Sequence, residues 1–308
     1  LGTFAITDHR ETNAFVDYKR YFQKKDYHII AGLEAEVFDD TKEDFNYEKD
    51  IDTCNRYHLV LINNAKDTEI PYKGKMIKVN EGIRAFNTLI TNANIKYYST
   101  PSKETKLQQE ADGEFKTSRK AIMSLKEILE YKEKGILKLG SACIMGTVRQ
   151  YWFKNNIEKF EKYIKLLDWV EIHPIHNEDF LIKNEFYKDI NSKEDIAKKN
   201  RALYEYCKAN NIDVIFADDA HVINKEDRIL RYLFKKGEIA KFSSLVKKDV
   251  LEKMSEKDRE KAIKDFNDDL AIERQPFLHS HGEMKKELTE QGFTEEQIKD
   301  MLETEKRI

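Results

Sequence analysis

The chain has 308 residues, of which 36% are charged and 40% hydrophobic, and a formal net charge of -3. That balance describes a globular chain with a heavily charged surface and no global pull toward nucleic acid, so any nucleic-acid contact needs a local basic patch. Its 11 Gly and 4 Pro are too few for a long flexible linker, and three widely spaced cysteines are no disulfide framework.

The elements follow in chain order. Thr3 to Thr7 reads as a strand ended by Asp8-His9. Asn13 to Lys25 has helical spacing, with Phe15, Tyr18 and Phe22 on one side. His28 to Val37 is a second strand, ending around Gly32-Leu33-Glu34, and Asp39 to Asn55 is a polar, acidic excursion without a strong period. Tyr57 to Ile62 is a third strand with His58 near its start, and Glu81 to Asn94 is an amphipathic helix. Thr100 to Arg119 is loop-like. Lys120 to Lys134 is helical, with Gly135 as its C-terminal cap. Ile136 to Gly140 is a fourth strand running into Ser141-Ala142-Cys143. A helix over Asn156 to Leu167 precedes a fifth strand, Trp169 to His173, closed by Pro174. A helix over Asp195 to Asn210 precedes the sixth strand, Val214 to Ala217, and Asn224 caps a helix over Lys225 to Lys235.

Strands alternating with helices predict parallel βαβ units and an α/β barrel, whose functional residues sit at the C-terminal strand ends. Those ends carry His9, Glu34, Cys143 and Asp219, with His58 nearby. In an extended chain Asp219 and His221 point to the same side. Imidazole, carboxylate and thiolate are the donors that hold zinc, and the first two also hold manganese or iron. The soft donor Cys143 favours zinc at its position. A metal reading for any one of these residues is weaker than a solvated or capping role. Their recurrence at the ends of successive strands is what predicts a metal centre.

The series TDH, GLEA, YHLVL, GSAC and ADDAH followed by INKEDRILRYLF resembles the PHP domain of bacterial DNA polymerase III alpha subunits. The stretches AITDHRETNAF, IIAGLEAEVFDD and LDWVEIHPIHNEDF are similar to its PolC-type branch. The likeness runs to about Phe234 and more weakly through PFLHSHGEMKKELTEQGF. It implies a distorted (β/α)7 barrel of PHP type over residues 1–240, followed by a helical extension, 241–308, leading toward a polymerase core. It also implies a divalent metal cluster of zinc, manganese or iron at His9, Glu34, His58, Cys143, Asp219 and His221.

In this family a His-x-His motif lies on a strand that would precede Leu1, so the chain reads as an N-terminally truncated barrel. Only Phe38 to Arg56 lies where PolC-type proteins carry an exonuclease insertion, and Thr147 stands where the family usually has Glu. The implied parent is a cytoplasmic DNA-directed DNA polymerase that uses Mg, contacts DNA and other replisome subunits, and has no membrane partner. A stand-alone PHP phosphoesterase and a non-catalytic PHP scaffold are the alternatives. His173 and His176 read as a polar rim loop, His279-Ser280-His281 as a His-x-His pair with no strand before it and a run broken by Pro276, and Lys247 to Lys264 as a solvated helix.

Overall fold

The computed structural model describes residues 2–22, 27–51, 54–99, 120–220, 255–256 and 279–308. Among them the chain divides between Val170 and Glu171 into two compact units. The expected loop over 100–119, the helix over 225–235 and nearly all of 247–264 lie outside the described residues, as does His221.

The first unit is built on strands β1 (Gly2–Ile6), β2 (Tyr27–Phe38), β3 (Arg56–Asn63), β9 (Leu137–Gly140) and the start of β10 (Trp169–Ile172), hydrogen-bonded in that order, with β8 (Met123–Ser124) also on β2. β1 and β8 run parallel to β2, and β10 parallel to β9. This is the α/β architecture expected, a curled sheet of mostly parallel strands.

One direction differs from expectation. β3 is antiparallel to both β2 and β9. A parallel return past the twelve residues of β2 needs a crossover long enough to retrace the strand. Helix α1 (Asn13–Phe22) lies between β1 and β2, whereas among the described residues the connection to β3 holds only the four-residue helix α2 (Tyr47–Asp50), so the chain turns straight back.

Alternation along β2 separates two faces. Leu33, Ala35 and Val37 point into a core with Tyr57, Leu59 and Leu61 of β3, while Glu34 and Glu36 point the other way. Helix α3 (Glu81–Ile95) closes that core with Ala85, Phe86, Leu89 and Ala93, and helix α4 (Leu125–Glu133) closes it with Leu125 and Ile128. Burying each large apolar side chain contributes about 1.5–3 kcal/mol. The polar face of β2 is thereby left for chemistry.

Local signals set the helix ends. The Asn80 side chain accepts from the Gly82 and Ile83 N–H groups at the start of α3. Helix α4 begins later than its periodicity suggested because Ser124, which accepts from Glu127 N–H, caps it and Met123–Ser124 joins β2. Gly135 ends this segment with φ +68°, a conformation glycine adopts without strain. A hairpin, β4 (Asp67–Tyr72) and β5 (Lys75–Asn80), turns at Lys73-Gly74, both with positive φ, and β6 (Tyr98–Ser99) pairs antiparallel with β7 (Lys120–Ala121). Two further short helices follow β9, α5 (Thr147–Phe153) and α6 (Ile157–Ile164).

Asp39, just past β2, ties this layer to α6. Its carboxylate accepts from Lys162 Nζ at 2.6 Å, from the Tyr163 hydroxyl at 2.6 Å and from Thr41. Burial alone would raise its pKa, but these hydrogen bonds outweigh it and hold the carboxyl at about 2. A depressed folded pKa stabilises the protein above the unfolded value, about 3.9, and that stability is lost as pH falls toward 2. Asp39→Asn is expected to cost about 1–2 kcal/mol at pH 6, after discounting for solvent screening. Urea denaturation of both proteins at pH 6 and pH 2.5 checks this, since the gap narrows at the lower pH.

The second unit comprises the end of β10, two 3-10 turns (Ile175–Asn177 and Asp179–Leu181), helix α7 (Lys193–Ala209), strand β11 (Asp213–Phe216) and helices α8 (His281–Glu290) and α9 (Glu295–Glu305). Ala217 N–H donates to Ile172 carbonyl at 2.9 Å, joining β11 to the end of β10. The C-terminal part is helical, as expected, and both helices carry capping boxes, Ser280 with Glu283 and Thr294 with Gln297. Gln291 between them is fully buried, accepting from Asn200 Nδ2 at 2.9 Å and donating to His173 carbonyl at 3.0 Å.

Candidate metal centre

β2 is longer than β1, and the chain beyond β1 continues alongside it. The register that pairs Ile6 with Ala31 extends to a bridge between His9 and Glu34, held by Arg10 N–H to Glu34 carbonyl and Glu34 N–H to Asp8 carbonyl. Beyond β9, which is antiparallel to β3, the chain turns and comes back against the start of β3 in the parallel sense. There Gly146 bridges to His58, and His58 N–H donates to Met145 carbonyl at 3.1 Å. Two loops are thus laid against two strands, and this brings residues from four segments onto the polar face.

Glu34 is the centre of the group. Its Oε2 lies 3.2 Å from His9 Nε2 and its Oε1 lies 3.0 Å from His58 Nδ1. Cys143 Sγ stands 3.7 Å from Glu34 Oε1 and 3.6 Å from His58 Nδ1, and the His9 and His58 rings meet edge to face at 4.8 Å. Glu34 and Cys143 are buried, whereas the His9 side chain is 42% exposed, so the group is open to solvent on the His9 side. Arg10, paired with Glu36 at 3.4 Å, adds a cation to the same rim.

These separations suit a shared ion. A tetrahedral zinc with nitrogen and oxygen ligands at about 2.0–2.1 Å holds them about 3.3 Å apart, and a sulfur at about 2.3 Å stands about 3.5 Å from a nitrogen. The ligand atoms of His9, Glu34 and His58 all lie within 4.8 Å of one another. The residues present therefore fit a divalent metal ion. No disulfide engages Cys143.

Four of the six residues singled out from sequence, His9, Glu34, His58 and Cys143, come together in the first unit. Asp219 follows β11 in the second unit, and His221 lies outside the described residues. The expectation that strand C-termini supply the donors needs correction for two of them. Glu34 sits within β2, and His58 is near the N-terminal end of an antiparallel strand. Reversing β3 puts its beginning at the rim where β9 ends, so the same rim is served by an opposite strand end.

The PHP domain family matches residues 1–193, and the chain belongs to that family. It is 24% identical over 190 residues to the DNA polymerase III PolC-type of Clostridium perfringens (strain 13 / Type A), covering 61% of this chain and 11% of that protein. Over 173 residues it is 27% identical to the DNA polymerase III PolC-type of Staphylococcus saprophyticus, covering 51% of this chain and 12% of the relative. The protein of the same name from Caldanaerobacter subterraneus is 26% identical over 138 residues, or 8% of its length. The chain thus spans only a small part of these relatives.

A group that sequence reasoning set aside also comes together. His176, His279 and Glu287 of the second unit each offer a ligand atom within 4.8 Å of the others. The only local signal was the histidine content of the two segments, which says nothing of their meeting. Among the described residues, no helix is long and apolar enough to cross a membrane.

Proposed function

We propose that this chain is the metal-binding PHP portion of a replicative DNA polymerase III alpha subunit of the PolC type. His9, Glu34, His58 and Cys143 are its metal ligands, and the proposal extends to Asp219 and His221 on sequence resemblance alone. The observation that carries it is Glu34, whose two oxygens each meet a different imidazole while the Cys143 thiol lies against the same carboxylate. A carboxylate with both oxygens so engaged suits neighbouring ions, and the thiolate favours zinc among zinc, manganese and iron.

When bound, such ions supply Lewis-acid polarisation of a phosphate ester and of water. The protein's own part is positional. Glu34 fixes the orientation of both imidazoles, Cys143 closes the buried side, and exposed His9 with Arg10 marks the side from which an anionic phosphate ester approaches. Nucleotide transfer with Mg, DNA contact, replisome partners and a cytoplasmic location are proposed for the parent protein rather than for this segment.

Elemental analysis of the purified chain, paired with a phosphodiester hydrolysis assay before and after chelation, tests the reading. Bound zinc, manganese or iron with chelator-sensitive hydrolysis supports an active PHP centre. Bound metal without hydrolysis reduces it to a scaffold. A chain that takes up no divalent metal under any loading condition overturns both.

A further inference from the structure

The second unit brings two histidines and two carboxylates together from widely separated parts of the chain. His176 belongs to the turn after β10, Asp218 to the segment after β11, His279 to the residue before the cap of α8, and Glu287 to α8 itself. The His176 and His279 rings stack at 4.9 Å with an interplanar angle of 29°, and Glu287 Oε1 is 3.7 Å from His176 Nδ1. We propose that His176, His279 and Glu287 form a second divalent-metal site, of zinc type, that ties α8 to the turn after β10.

Two imidazoles and one carboxylate are a donor set for zinc with a fourth position left for water, and the absence of a thiol from the set distinguishes it from the centre at Glu34. The 3.7 Å separation is within a few tenths of an ångström of the roughly 3.3 Å that a tetrahedral ion imposes, so a small side-chain adjustment closes it. The Glu287 side chain is 24% exposed, which leaves a way in for an ion and a place for water.

Asp218 supplies the second argument. Its Oδ2 lies 2.5 Å from His279 Nδ1 and accepts from the His279 backbone N–H at 3.1 Å, and Asn177 Nδ2 donates to its Oδ1 at 3.2 Å. The side chains of Asp218 and His279 are both buried. A buried carboxylate holding one ring nitrogen of a histidine fixes the tautomer, leaving Nε2 as the nitrogen His279 offers. Metal-ligating histidines are oriented in this way. A hydrogen-bonded staple between α8 and the turn needs one such pair, whereas the structure adds a second imidazole and a second carboxylate against the first.

The site is tested with zinc in equilibrium dialysis against the full chain carrying Glu34→Gln, which removes the central carboxylate of the first site. One zinc per chain is expected to remain, to be lost in Glu287→Gln and in His176→Gln, and to weaken about 10–100-fold in Asp218→Asn. Cobalt at this site is expected to show visible d–d bands without thiolate charge transfer. Hydrogen exchange reads the same question without substitutions, because zinc is expected to slow the amides of 281–290. Unchanged exchange in that helix on adding zinc, or a retained ion indifferent to both Glu287→Gln and His176→Gln, overturns the proposal.

Discussion

Glu34→Gln is expected to weaken metal binding at the first centre by more than about 100-fold, since removing an outer-shell partner alone costs about 10–100-fold. The substitution keeps the shape of the side chain and removes the charge that both His9 and His58 face at 3.2 and 3.0 Å. An amide presents one acceptor where the carboxylate presents two, so one imidazole loses its partner and its orientation. Glu34→Ala goes further in the metal-free protein. It leaves the half-buried His58 nitrogen without that carboxylate, at about 1–3 kcal/mol. Dialysis with elemental analysis measures the first effect and urea denaturation in chelator the second. Wild-type metal content in Glu34→Gln would remove Glu34 from the ligand set and with it the proposed centre.

Gly146→Ala is expected to be the most damaging small substitution in the first unit. A Cβ at Gly146 would stand 2.0 Å from the Ser141 carbonyl oxygen and near the carbonyls of Cys143 and His58. All three neighbours are backbone, so relief requires moving the loop itself. That loop is held by Gly146 N–H to Cys143 carbonyl at 2.8 Å and carries Ala142 at φ +58°. The cost is expected at or above the upper end of about 1–3 kcal/mol, and each kcal/mol lowers Tm by about 2–4 °C in a chain of this scale. Shifting the loop also withdraws Cys143 from Glu34 and His58. In the cobalt-loaded protein, thiolate charge transfer is therefore expected to fall while imidazole ligation persists. Gly282→Ala is the control, because nothing lies within 4 Å of its Cβ and it sits in a helix. Equal melting of Gly146→Ala and Gly282→Ala would show that the loop yields without cost.

Much of the local structure was legible in the residues. Gly135, read as the C-terminal cap of the helix before it, ends that segment at φ +68°, a conformation glycine adopts without strain. The alternation of Leu33, Ala35 and Val37 with Glu34 and Glu36 is written in the chain and matches the buried and polar faces of β2. The hairpin from Asp67 to Asn80 escaped notice because its strands are exposed on both faces, so burial imposes no alternation on them. The chemical types of the donors were also plain, since imidazole, carboxylate and thiol are written directly in the chain.

What the tertiary structure decided is who meets whom. Periodicity reports burial, which is local, whereas strand partners and directions depend on how connections close over long separations. That is why β3 could run antiparallel without altering its pattern, and why His58 joins Glu34 from an unexpected strand end. His9 reaches that carboxylate because the chain beyond β1 stays in register with the longer β2, and Cys143 because the chain after β9 turns back against the start of β3. The meeting of His176 with His279 and Glu287 follows from the same cause. Each segment is polar and unremarkable alone, and only the packing of α8 beside the turn after β10 makes them a group.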